Sequence, residues 1–241
     1  MKNRSSMTFP LLALALAAQV APYVYAQAAD EHAVFAMTNS VEGNQIIAYS
    51  RAANGLSIEG NHFVTGGRGS GGTTDPLGSQ GSLTLSQDHS LLFAVNAGSG
   101  DLSVFRVNGA NLALVQVVPS GGSAPVAVAQ HGNLVYIINF AGNSNVVGFN
   151  LDGDGYLVGI PNSIRYLSAT NTGPSSLAFS PDGRFLLVTE KVTNNIDVFS
   201  VNSDGSLSQP TITPDPIPGV FDVVFSPDSA AHSSDWWVGH Y

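Results

Sequence analysis

The chain has 241 residues, 44% of them apolar and only 10% charged, with 26 Gly, 13 Pro and no Cys. That is apolar mass enough for a core, and turn formers too frequent for a helical bundle; the missing cysteines remove disulfides, thiolate metal sites and Cys nucleophiles together. Eight basic residues against 17 acidic ones give a formal charge of −9, so the field that draws in nucleic acid is missing.

Lys2 and Arg4 precede an apolar run from Leu11 to Val20, and small residues follow at Ala26 and Ala28. This is the pattern of an export signal, predicted to be cut after Ala26 or Ala28. Residues 1–26 are thus expected to leave, and 27–241 to form the mature secreted or periplasmic domain. The apolar run is about half of the ~20 residues that span a bilayer, so no membrane association is expected once it is removed.

From Ala33 onward one unit recurs four times. Its best-marked piece is an alternating strand with an aromatic, then a turn, then a Leu: IIAYSRAANGLSI from 46, LSVFRVNGANLALV from 102, VVGFNLDGDGYLVGI from 146 and IDVFSVNSDGSLSQP from 196. Tyr49, Phe105, Phe149 and Phe199 are equivalent, spaced by 56, 44 and 50 residues, and a Gly-rich insert at 65–78 stretches the first interval. Ahead of each copy lies a more apolar strand ending in a polar residue: AVFAMTN, SLLFAVN, NLVYIIN and RFLLVTE. Such runs read as strands buried on both faces. A third strand precedes these in later units, beginning at 81, 125 and 175 and again at 221, joined by short turns such as SPDGR at 180–184. With outer segments at 112 and 163, the units are four-stranded antiparallel meanders. A lone sheet of this kind has no partner for its faces, so the units must stack around an axis as a β-propeller.

The expected fold is therefore all-β, with blade units at about 33–67, 80–122, 123–173 and 174–219 and a partial one at 220–241. The first unit has no inner strand of its own, and Phe221 to Ser226 could supply it and close a four-bladed ring. The final SAAHSSDWWVGHY abandons the pattern, however, and an incomplete ring is the expectation.

The blade repeats, the SPDGRFLLVTEK motif at 180–191, the NAGSGDLSVFRV segment at 96–107 and the GGSAPVAV junction at 121–128 together resemble the secreted branch of the lactonase-like β-propeller family. That family includes the propeller type of 6-phosphogluconolactonase and the carboxymuconate lactonizing enzymes. The resemblance covers residues 33 to about 228. It implies seven blades in a full member, of which this chain holds a little over four. It also implies action on a small sugar-acid or muconate-like lactone, without a cofactor.

Opening a lactone needs a base to activate water and cationic or hydrogen-bonding groups for the developing oxyanion. The resemblance implies a polar cluster at the central channel, where inner strands start and second strands end. Here those positions are Gln80, Asn96, Ser123, Asn139, Ser175, Glu190 and Lys191. Glu190 is the candidate general base and Lys191 the candidate cation, only one of which can face the channel from a strand. Gln80, Asn96 and Asn139 are candidate substrate contacts, with Arg68 of the Gly-rich insert the charge that could reach an anionic ligand. The family's catalytic His usually follows a Pro at the start of a blade, whereas here Val126 follows Pro125 and Ser175 follows Pro174. A non-catalytic binding scaffold or inactive fragment is accordingly the alternative reading.

The remaining candidates read as structure. Asp152 and Asp154 begin like a calcium loop but lack its later ligands, so a hairpin turn is expected. The six His residues never fall at close metal spacing, no metal site is expected, and His131 is placed in a solvated turn. GGRGSGG at 66–72 lacks the Lys-Ser or Lys-Thr of a phosphate loop and reads as a flexible interblade loop. An open ring edge would also expose apolar surface and invite self-association.

Overall fold

The computed structural model describes residues 33–51, 55, 57–74, 78–225 and 236–240; the export signal and its cleavage site lie outside the described residues. Turn residues recur every five to ten positions, so each strand returns beside its predecessor and the sheets are antiparallel meanders. The first sheet is β1 (Ala33–Met37), β2 (Gln45–Arg51) and β3 (Ser57–Val64). The second is β4 (Leu83–Leu85), β5 (Leu91–Asn96), β6 (Asp101–Asn108) and β7 (Asn111–Pro119). The third runs β8 (Pro125–His131), β9 (Leu134–Asn139), β10 (Asn145–Leu151) and β11 (Leu157–Gly159), with β12 (Arg165–Tyr166) also on β10. The fourth comprises β13 (Pro174–Phe179), β14 (Phe185–Glu190), β15 (Asn195–Ser200) and β16 (Thr211–Pro214). Finally β17 (Val220–Phe225) pairs with β18 (Trp236–His240).

The core is a series of seams between sheets, because the second and third strands are apolar on both faces. Leu92 and Ala94 meet Ile46 of the first sheet, while Leu91, Phe93 and Val95 meet Val135, Ile137 and Phe149 of the third. Tyr136 and Ile138 in turn meet Leu186, Val188 and Phe199 of the fourth. Phe105, Phe149 and Phe199 each point toward the preceding sheet, where removing a Phe from water is worth roughly 2–3 kcal/mol. Tyr49 holds the same position in the first sheet, has no preceding sheet among the described residues, and is only half-buried.

Two local departures from the repeat have physical causes. Tyr136 lies opposite Gly148 in the ladder and crosses it to donate its hydroxyl to the Gly205 carbonyl in the next sheet. A Cβ at Gly148 would collide with the Tyr136 ring, so only glycine fits there. The outer edge of the third sheet is divided between β11 and β12, and Ser163 bridges the gap: its Oγ accepts from Gly148 N at 3.1 Å and donates to Gly148 O at 3.2 Å.

β17 does not complete the first sheet. Val220 and Val223 pack on Leu187 and Ile196 of the fourth, so this strand begins a fifth unit and the four-membered closure is not formed. The described strands make an incomplete β-propeller, in which β1 is paired on one side only.

Candidate functional site

In the second, third and fourth sheets the second strand ends and the third begins with a polar residue: Asn96 with Asp101, Asn139 with Asn145, Glu190 with Asn195. Strand alternation places Asn96 on the face of Leu92 and Ala94, which meets the first sheet. There Asn96 Nδ2 donates to Asp101 Oδ1 at 2.6 Å and Ser103 Oγ at 2.8 Å, while its Oδ1 accepts from Thr65 Oγ1 at 2.8 Å and Asn44 Nδ2 at 3.0 Å. Asn139 Nδ2 donates to Ser120 O at 3.1 Å and Asn145 Oδ1 at 3.0 Å. Glu190 accepts from Ser168 N at 2.9 Å, Ser168 Oγ, Thr193 Oγ1 and Asn195 Nδ2. In every case one partner across the seam, Thr65, Ser120 or Ser168, lies just beyond the outer strand of the preceding sheet.

These three residues, expected to converge at the channel, are therefore distributed over three separate seams, each at 0% exposure. The physical reason is the parity of the strand: the face that continues the apolar seam also carries its terminal polar residue. Each acts as a latch between blades.

The fourth sheet's latch contains a second acid, which the strand-end pattern does not mark. Asp197 is 0% exposed on the same face as Glu190, and neither of its carboxyl oxygens has a hydrogen-bond partner among the described residues. Burial, followed by the neighbouring Glu190 charge, pushes the Asp197 carboxyl up to about 8.

Lys191 follows the end of β14, so the turn sets its direction. Its Nζ donates to Gly78 O at 2.5 Å and lies 5.9 Å from the ring centres of both Phe140 and Phe221, within cation–π reach. The segment holding Gly78 crosses the starts of the inner strands: Ser79 Oγ donates to Val126 O at 3.2 Å and Gln80 N to Ser175 O at 2.7 Å. Ser175 Oγ and Thr189 Oγ1 both donate to Phe221 O, at 2.6 and 2.8 Å. Lys191 and Gln80 thus share the end of the arc where inner strands begin, with the Gln80 side chain exposed. What this cluster offers chemically is a positive charge and hydroxyl and amide groups beside two aromatic faces.

Arg68 is elsewhere. Residues 65–74 of the Gly-rich insert form an ordered strap rather than a flexible loop, since Gly69 N donates to Ser40 O, Gly71 N to Asn39 O, and Gly98 N and Ser99 N to Arg68 O. Cβ atoms at Gly69 and Gly98 would strike neighbouring backbone, and one at Gly67 the side chains of Asp101 and Asn96, which explains the composition: the strap lies too close to its neighbours to carry side chains there. The Arg68 side chain stands exposed on this strap. Between the strap, the unpaired side of β1 and the inner strand of the second sheet lies a cavity of about 350 Å³, lined by Phe35, Met37, Asn39, Leu83 and Val126 among others.

Asp152 serves a hairpin, its Oδ1 accepting from Asp154 N at 2.9 Å and Tyr156 N at 2.8 Å. His131 is half-buried rather than solvated, its ring 5.8 Å from that of Phe179 and lying over Gly183.

No family model and no curated protein sequence matches the chain. Solved structures do. A provisionally assigned 6-phosphogluconolactonase from Bacteroides uniformis is similar with a TM-score of 0.63 at 22% identity, over 83% of this chain and 59% of that one. A protein from Lactobacillus plantarum gives 0.65 at 16% identity over the same shares. The periplasmic gluconolactonase of Pseudomonas aeruginosa gives 0.59 at 20% identity, over 81% of this chain and 58% of that one. The chain thus spans less than two thirds of the length of these neighbours. At these identities the likeness establishes the propeller fold.

Proposed function

We propose that the chain carries the lactone-binding part of an exported lactone hydrolase acting on a small sugar-acid lactone. The observation that supports this most is the placement of Lys191 beside Gln80 and Ser175 where the inner strands begin, with two aromatic faces to receive a ring. Hydrolysis adds water across the acyl C–O bond of the lactone, breaks the ring and releases a hydroxy acid with its proton. In that reaction Lys191 would stabilise the negative oxygen that develops on the carbonyl, and Gln80 would hold a ring hydroxyl. Glu190, enclosed in its seam with four donors, supports the blade that presents Lys191. Export accords with the Lys2–Arg4 leader and with the periplasmic gluconolactonase among the neighbours.

The enclosure of Asn96, Asn139 and Glu190 favours the second reading, a binding scaffold without catalysis. The two separate in a pH-stat assay of residues 27–241 against a panel of sugar-acid lactones. Acid release above the buffer rate, reduced at least tenfold by Lys191→Met, is the expected result. A wild-type protein that only matches the buffer rate overturns the hydrolase and leaves the scaffold. Light scattering on the same sample tests self-association through the unpaired edge of β1, for which a mass above the monomer is expected.

A further inference from the structure

The seam between the third and fourth sheets encloses two carboxyl groups. Val188 pairs with Asp197 and Glu190 with Asn195, so the two acids sit on one face, two residue pairs apart on adjacent strands, and both are 0% exposed. The corresponding pair in the second sheet is Asn96 and Ser103, where the amide donates to the hydroxyl at 2.8 Å. Ala94 faces Ser103 in the ladder as Val188 faces Asp197, so the side chains occupy equivalent places. In the fourth sheet both partners are acids, and a hydrogen bond between two carboxyls requires a proton on one of them.

The surroundings decide which. Glu190 already accepts from Ser168 N, Ser168 Oγ, Thr193 Oγ1 and Asn195 Nδ2, which suits a carboxylate. Both oxygens of Asp197 are without a partner among the described residues. The other ionisable groups along this seam come from the third sheet and are committed to backbone carbonyls. Tyr136 donates to Gly205 O, and Arg165 donates to Ser208 O at 3.1 Å, Asn162 O at 2.8 Å and Ile164 O at 2.9 Å. Asp204, on the turn beyond β15, is exposed and accepts from Ser206.

We infer that Glu190 and Asp197 hold one proton between them, carried by Asp197 and donated to Glu190, and that its loss in alkali loosens the seam between the third and fourth blades. The proton passes to the buffer and no other bond changes; two enclosed negative charges remain, and they are relieved when the blades part and water enters. The upward displacement of the Asp197 carboxyl by burial agrees with this assignment.

Two measurements on residues 27–241 test it. Infrared spectroscopy of the wild-type protein at neutral pH is expected to show the carbonyl stretch of a protonated carboxyl, vanishing as the pH is raised past about 8 and missing in Asp197→Asn. Thermal melting of the wild type is expected to fall as the pH rises toward about 8 and to level off above it, while Asp197→Asn, whose amide can donate without titrating, keeps its midpoint. The absence of a protonated-carboxyl band in the wild type overturns the inference, even if the variant fails to fold. So does an Asp197→Asn protein whose midpoint falls with pH as steeply as the wild type's.

Discussion

The seams before the second and fourth blades are built on the same ladder positions and differ in their chemistry. Before the second, Asn96 carries both donors and acceptors, so Thr65, Asn44, Asp101 and Ser103 close around it without any group having to change its charge. Before the fourth, Glu190 can only accept; it collects four donors and leaves Asp197, the counterpart of Ser103, with nothing to receive. An amide latch is complete at any pH, whereas a carboxyl latch is complete only while it holds a proton. The seam before the third blade is a weaker version of the first, because Asn139 Oδ1 has no partner among the described residues and Val147 stands where Ser103 does.

The largest expected effects come from removing each latch in turn. Glu190→Ala strands four donors, two of them charge-assisted hydroxyls, and is expected to cost about 3–4 kcal/mol. Asn96→Ala breaks bonds of similar number, only one of them to a carboxyl group, that of Asp101, and is expected to cost about 2 kcal/mol, and Asn139→Ala, which loses fewer, about 1 kcal/mol. Chemical denaturation of the three variants checks the order; a cost for Asn96→Ala equal to that of Glu190→Ala would remove the distinction between the seams.

How far this difference was legible in the sequence depends on the residue. The repeat, the strand order and the aromatic positions follow from alternation and turn spacing, because Leu91 to Asn96 or Leu134 to Asn139 can be nothing but strands buried on both faces. The same property hides the latches: when both faces are apolar, alternation says that positions 92, 94 and 96 share a face but not that this face meets a neighbouring blade rather than the channel. Asn96, Asn139 and Glu190 are thus legible as strand ends, while their enclosure in the seams is not. Asp197 was visible only as an acid between Ile196 and Val198, where the repeat elsewhere has Ser103 or Val147, and that contrast was the available signal. Arg68 looked mobile because glycine suits loops; here the glycines allow close backbone contact.

An intermediate effect should appear in the dependence of stability on pH. The folded chain keeps on Asp197 a proton that an unfolded chain, with its carboxyl at 3.8, has released. Between these values the unfolded state binds fewer protons than the folded one, so this group's contribution falls as pH rises from about 4 and levels off above about 8. Converting the fourth sheet's latch to that of the second, with Glu190→Asn and Asp197→Ser together, is expected to flatten this slope. Urea midpoints at pH 6 and pH 9 decide it: the wild type should lose stability across the interval and the double variant should not.

The smallest effects belong to two turns that also repeat, SQDHS at 86–90 and SPDGR at 180–184. In each, the Ser hydroxyl donates to the Asp carboxylate, Ser86 to Asp88 at 2.6 Å and Ser180 to Asp182 at 2.7 Å. These bonds, supplemented by Ser90 in one turn and Arg184 in the other, hold both carboxyls down at about 2. The sign is opposite to that at Asp197: a lowered carboxyl contributes stability above its unfolded value of 3.8 and loses it as pH falls toward 2. Both acids are exposed, and solvent screening keeps the contribution small. Asp88→Asn and Asp182→Asn should therefore shift the melting temperature little at pH 7 and reduce its decline between pH 4 and pH 2. If either variant altered the slope between pH 4 and pH 8 instead, the turns and the seam would not be independent, and the seam's slope could no longer be assigned to Asp197 alone.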